Sequence, residues 1–465
     1  MPTPLRRLRP AGARTLVLLL ALCLTGWGPV PLAAQSPAPA NQGLLGQLSQ
    51  LFIFGEGADP LFLGGSGDPN NPINIQVHGA HFIPAAVAGN ASLISFLGNS
   101  ISSSVSEVPV SAASGSSTFR FEGGTPVRTS TSAGPILAER AQTLGRGRVV
   151  VAAGRTQVNF TTLRGVPLED IRLTFTHQNV NFPGCDSVAG GDCALLGVPL
   201  VENETIDLAL DLHVDLSLTT FLLAYGLTDR VDVAVVVPIA HTALRGASLA
   251  QIQPFGAGPA VHFFAGTPQN PVLTANRAVD ASATGLGDVA ARVKINLRDA
   301  TPVALGLLLE GRFPTGSEQD LLGSGGFVGR GLAILSARFG DFSPHANLGY
   351  LYRGKFRDSD AFLATAGFDH LLAPWATLAA DLISAFQVGT SHLTVPGDVV
   401  IQAPFRRTVH TSDIPNARDD LVDASLGLKL TTPQGITIVT NGAWPLNRGG
   451  LRPNVAWNVG VEYNF

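Results

Sequence analysis

Asp211, His213 and Asp215 occupy alternate positions in the stretch "IDLALDLHVDLSL" (206–218), with Asp207 on the same parity. Carboxylates and an imidazole on one side of an extended chain are a metal-ligand donor set. Same-face neighbours along a strand lie about 7 Å apart, too far for one coordination shell without help from other strands, so the pattern predicts a charged surface and no metal. A second group continues it: Asp232, Arg292, Lys294, Glu310 and Arg312 sit on the polar parity of later stretches, and Glu462 on that of the last. Acids gather over 206–232 and bases over 292–312, an arrangement whose transverse field would orient a polar solute, as charged rings do in pores. The plainer reading is a hydrated lumen braced by ion pairs. Catalysis fits poorly, because no Gly-x-Ser-x-Gly, P-loop or His-Glu-x-x-His is present. His345, near Ser343 in "GDFSPHANLG", is the nearest approach to a nucleophile and its base and is expected in a tight turn. No cofactor is implied.

The elements that must carry these residues are strands. In "NVAWNVGVEYNF" (Asn454 to Phe465), Val455, Trp457, Val459, Val461, Tyr463 and Phe465 fall on one parity and polar or small residues on the other. "DVAARVKINL" (288–297) and "VALGLLLEGRF" (303–313) alternate likewise. Segments of period two are strands with two unlike faces. Connections alternate between short, such as "GLTDR" (226–230) and "TPQG" (432–435), and long, near 181–203, 241–284, 314–326, 388–419 and 446–452. One-sided loop length is what an outer-membrane barrel shows, with tight turns in the periplasm and long loops outside. A soluble β-sandwich would expose its polar face to water and carry more charge than the 14% here; a closed barrel also removes the edges that a sandwich must protect.

Counted back from Phe465, the strands fall near 453–465, 435–446, 420–431, 375–387, 360–372, 344–354, 327–340, 302–313, 286–297, 230–240, 204–225, 170–180 and 146–160, with "SSTFRFEGG" (116–124) added to make the number even. The expectation is an all-β, antiparallel transmembrane barrel over 116–465 of about 14 strands, or 12 if two early segments lie outside the wall. Residues 1–34 read as a signal peptide, with arginines before an apolar run and "PLAAQ" at the cleavage site. Leu22 ahead of Cys23 disfavours a lipoprotein. Cys185 and Cys193, the pair left after cleavage, predict a disulfide closing a short loop. Residues 35–115 fit no strand ladder, and a short helix is expected near 84–99, with the segment folded into the lumen as a plug in preference to a periplasmic cap.

The stretches "YGLTDRVDVAVVVPI" (225–239), "GLGDVAARVKINL" (285–297), "FPTGSEQDLLGSG" (313–325), "WPLNRGGLRPNVAWNVGVEYNF" (444–465) and "GPILAERAQTLGRGR" (134–148) resemble the outer-membrane channel family labelled "MetA-pathway of phenol degradation". The resemblance implies a barrel loosely akin to fatty-acid and aromatic-hydrocarbon channels, passing small hydrophobic or aromatic solutes by diffusion. The partners expected are outer-membrane lipid and lipopolysaccharide, the solute itself, and the barrel-assembly machinery, for which Phe465 would be the signal. Net charge of -4 argues against nucleic acid. The rival class is a structural or adhesive barrel without flux.

Overall fold

Alternating stretches become strands from residue 149 onward in the computed structural model. It describes residues 43–54, 61–62, 84–107, 119–122, 125–128, 132–176, 204–255, 263–267, 269–300, 302–354, 359–395, 397–401 and 405–465. The signal segment and the pair Cys185 and Cys193 lie outside the described residues. The elements are α1 (Leu44–Gln50), α2 (Pro84–Glu107), β1 (Val149–Leu163), β2 (Ile171–Thr176), β3 (Thr205–Gly226), β4 (Val231–Gln253), β5 (Thr274–Leu286), β6 (Val289–Asp299), β7 (Val303–Phe313), β8 (Val328–Ala337), β9 (Phe342–Arg353), β10 (Ala361–Ala373), β11 (Ala376–Gln387), β12 (Leu421–Thr431), β13 (Ile436–Pro445) and β14 (Leu451–Asn464).

Twelve of these strands form a closed antiparallel wall in the order β4-β6-β7-β8-β9-β10-β11-β12-β13-β14-β1-β3, with β3 returning to β4. β14 closes on β1, Glu462 facing Ala152 and Trp457 facing Gln157. Closure satisfies every wall strand on both sides and leaves no edge. The wall therefore has twelve strands, the alternative expected if two early segments lie outside it, and not fourteen. Segment 170–180 supplies β2, which pairs with the far half of β3 and bridges to Ser412 on its other side, outside the wall. Phe119–Glu122 pairs instead with Thr125–Arg128 in a separate hairpin.

β3 and β4 have 22 and 23 residues, about twice the 9–11 that cross a bilayer. Their far halves stand beyond the wall, flanked by β2 and β5, so 241–284 is not a loop but the outer half of β4 returning as β5. Leu286 faces Ile239 whereas Ala290 faces Val236, so β5 passes into β6 through one extra residue, a β-bulge. The bulge holds the loop 314–327. Asp288 accepts from the amides of Gly316 (3.1 Å) and Ser324 (2.7 Å), and the Thr315 hydroxyl donates to Gly287 O (2.6 Å).

Along β3 the even positions are buried throughout and the odd positions face out. What changes is the surroundings. Leu223 and Tyr225 on the outer face give way to Asp215, His213 and Asp211 farther up, and on β4 Val235, Val237 and Ile239 give way to His241 and Arg245. The two switches stand level, since Thr219 pairs with Ile239 and Ser217 with His241. β5 changes at the same line, from Leu286 beside Ile239 to Thr284 beside His241. Above that line the inner face is the core: Leu208, Leu210, Leu212, Val214, Leu216 and Leu218 pack with Leu44, Leu48, Phe52, Leu93, Phe96 and Leu97 of the helical segments.

Candidate functional site

The interior is crossed by residues 132–148, an irregular strap near the short-turn end. A lone extended chain has no ladder, so its amides and carbonyls need other partners. Wall side chains provide them. Ala133 N donates to Thr377 Oγ1 (3.0 Å), Glu139 N to Asn347 Oδ1 (2.8 Å), Ala141 N to Ser336 Oγ (3.0 Å), and Leu144 N to the Asp232 carboxylate (2.9 Å). In return Asn347 Nδ2 donates to Glu139 O (3.0 Å) and Asn296 Nδ2 to Ala141 O (2.9 Å). Arg140 pairs with Asp369, which also accepts from Ser132. Ile136 seats among Ala379 and Val439.

The "GLTDR" turn does more than reverse the chain. Gly226 accepts from Gly147 N (2.8 Å) and donates to Arg148 O (2.8 Å), and Asp229 Oδ1 accepts from Arg146 N (3.2 Å). A Cβ on Gly226 would lie 1.9 Å from Gly145 O, so this position must be glycine for the strap to leave the lumen.

Between strap and α2 lies a chamber of about 330 Å³. On one wall Glu310, its side chain 1% exposed, is bound by Arg312 Nε (2.7 Å), Arg330 (2.8 Å) and Arg292. Glu139 of the strap faces Arg292 (3.7 Å) and Lys294 (3.5 Å). Neutral Asn441 and Asn458 and the Arg452–Asp423 pair (2.7 Å) line the opposite wall. At the rim of the chamber α2 is tied to the 388–420 connection by Arg164, whose guanidinium binds Asp419 (2.8 Å) and Ser391 (2.8 Å) and stacks over Phe96 (5.8 Å). At this rim Arg418 holds the Asp420 carboxyl below the usual carboxylate range through hydrogen bonds.

The predicted charged residues thus separate. Asp232, Arg292, Lys294, Glu310, Arg312 and Glu462 point inward and are buried, Glu462 near Lys429 (3.7 Å). Asp207, Asp211, His213 and Asp215 do not line the lumen. They lie on the outer face of the β3 extension, where His213 meets Asp211 (3.2 Å) and Asp215 meets Arg245 (3.5 Å). The cause is the apolar filling inside the extension, which places Leu208 to Leu218 inward and forces their polar neighbours into solvent. The opposed field therefore has no acidic side on β3. His345 is in strand β9, not a turn, its Nε2 at 2.7 Å from Asp381 and its Nδ1 at 3.7 Å from Asp369. Arg330, Asn347, Asp369 and the strap escaped the sequence reading; "GPILAERAQTLGRGR" contains most of the strap but has no period to betray its path.

The chain matches no family model and no curated protein. Among solved structures it is similar to the COG4313 outer membrane channel from Pseudomonas putida F1, at 11% identity over 70% of this chain and 98% of that one, with a TM-score of 0.38. The P. putida toluene transporter TodX aligns at 10% identity over 68% and 89% of the two chains (TM-score 0.31), and the Ralstonia pickettii toluene transporter TbuX at 14% over 77% and 98% (TM-score 0.27). None is close enough to lend this chain a substrate.

Proposed function

We propose that this chain is an outer-membrane channel that admits small hydrophobic or aromatic solutes by passive diffusion, with the strap and α2 limiting passage. The observation that carries this reading is the chamber inside a closed wall whose outer face turns from apolar to polar along one line on β3, β4 and β5. Large apolar side chains stand on the wall's outer face below it, Leu223, Val235, Leu309, Leu348, Phe362 and Leu426 among them. In water such a belt would aggregate; in lipid it is the ordinary outer surface of a barrel. The short turns then face the periplasm, and the extension of β2 to β5 stands outside the cell. Trp457 and Phe465, each 60% exposed, would join opposite interfacial girdles at the two ends of the apolar belt, with the Tyr463 ring 5.6 Å from that of Phe465. Chamber residues such as Phe160, Leu332, Leu351 and Ile383 offer apolar surface to a solute.

Proteoliposomes containing the full mature chain test this. Uptake of benzyl alcohol above that of protein-free vesicles, with little uptake of a sugar of similar mass, is the expected result. Equal leakage with and without protein would contradict it.

A further inference from the structure

Asn441 and Asn458 stand directly opposite each other on β13 and β14, 3% and 7% exposed, with their side chains turned onto the chamber. Asn441 Nδ2 donates to Ser425 Oγ (3.1 Å) and Asn458 Nδ2 donates to Thr156 Oγ1 (2.8 Å). Both amide nitrogens are thereby engaged, and neither carbonyl oxygen accepts from a protein donor. A buried polar atom without a partner is costly, and the large majority of such atoms have one. Two acceptors on adjacent strands, facing an enclosed space, favour a guest that donates.

The ladder gives that guest its shape. Asn441, Asn458 and Thr156 form one inward rung across β13, β14 and β1, and the next rung toward the long loops is Ala443, Ala456 and Val158. Phe160 follows Val158 on β1, and all of these residues line the chamber. Successive inward rungs lie about 7 Å apart, so a polar head and an apolar body are met at separate heights. On the other side the strap closes the space, with Ile136 packed against Val439, the preceding inward residue of β13. Neither rung carries a charge, so nothing at this place offsets the desolvation of an ion. An anion would also meet both carbonyl dipoles by their negative ends.

We propose, on the channel reading above, that this face of the chamber is a subsite for a small neutral solute bearing a hydroxyl. The hydroxyl donates to the Oδ1 atoms of Asn441 and Asn458, and the apolar body lies against Ala443, Ala456, Val158 and Phe160. An ether on the same skeleton accepts but cannot donate, so it is the weaker ligand.

Calorimetric titration of benzyl alcohol and of benzyl methyl ether into the full mature chain in detergent micelles, each corrected by titration into empty micelles, tests the subsite directly. The alcohol should bind at least about fivefold more tightly than the ether, the worth of one neutral hydrogen bond. Asn441→Leu and Asn458→Leu remove the amide oxygen at nearly constant volume, so each should lower that preference and the double variant should abolish it. Should the double variant fail to migrate as a folded barrel, the single variants carry the test. Equal affinity for the two ligands, a tighter ether, or a preference that neither substitution lowers in a folded barrel would overturn the subsite. Benzyl alcohol uptake by proteoliposomes reports separately on the channel: normal uptake without the preference removes the subsite alone, whereas the preference without uptake keeps the subsite and removes the channel.

Discussion

Glu310 shows how a buried ion cluster inside a barrel differs from a surface one. Its carboxylate satisfies three arginines on three adjacent strands, so removing it leaves three guanidinium groups buried with their main counter-ion gone. Glu310→Gln should lower unfolding free energy by about 3–5 kcal/mol, read as a shift in the urea midpoint of the folded gel band. Arg164 plays the same part at the rim, where one side chain holds Asp419, Ser391 and the Pro415 carbonyl (3.0 Å) against Phe96. Arg164→Ala should release the 388–420 connection, and limited proteolysis should cut there in the variant well before the native chain; equal cleavage times would deny the pin. At this scale the sequence was only partly readable. Arg292, Lys294, Glu310 and Arg312 stood out by parity, but Arg330, in a stretch rich in glycine and lacking clear alternation, did not, nor did Asp369, whose partner Arg140 lies 229 residues away.

Strands were legible because each carries its period in its own residues. Their boundaries over β6 to β14 fall within a few residues of expectation. Alternation states that two faces differ but not which one is inside, and β3 shows the consequence. Its lower half carries apolar and its upper half polar side chains on the same outer parity, and the interior beside the upper half is filled by α1 and α2. Substitutions should report this split. Leu309→Arg, on the outer face of β7, should destabilise the barrel by about 2–4 kcal/mol when refolded into bilayers. Asp211→Arg, on the outer face of the extension, should change stability by no more than about 0.5 kcal/mol. Similar costs for both would place the two sites in the same medium. The strap had no such signature, since its backbone is satisfied by side chains of the wall rather than by a neighbouring strand.

For the whole molecule, the proposed channel would be a conduit narrowed by its own chain, with a closed wall, an apolar outer belt and two chain segments in the lumen. The strap is held at discrete points, and the Arg140–Asp369 pair with Ser132 is one that can be cut without touching the chamber's arginine wall. Loosening it should widen the passage while the twelve-strand wall stays folded. The direct measurement is single-channel conductance in planar bilayers of the full mature chain beside its Ser132→Ala/Arg140→Ala variant. Small steps from the native chain and larger ones from the variant are the predicted result. Silence from both, with each still migrating as a folded, heat-modifiable barrel, would contradict the channel.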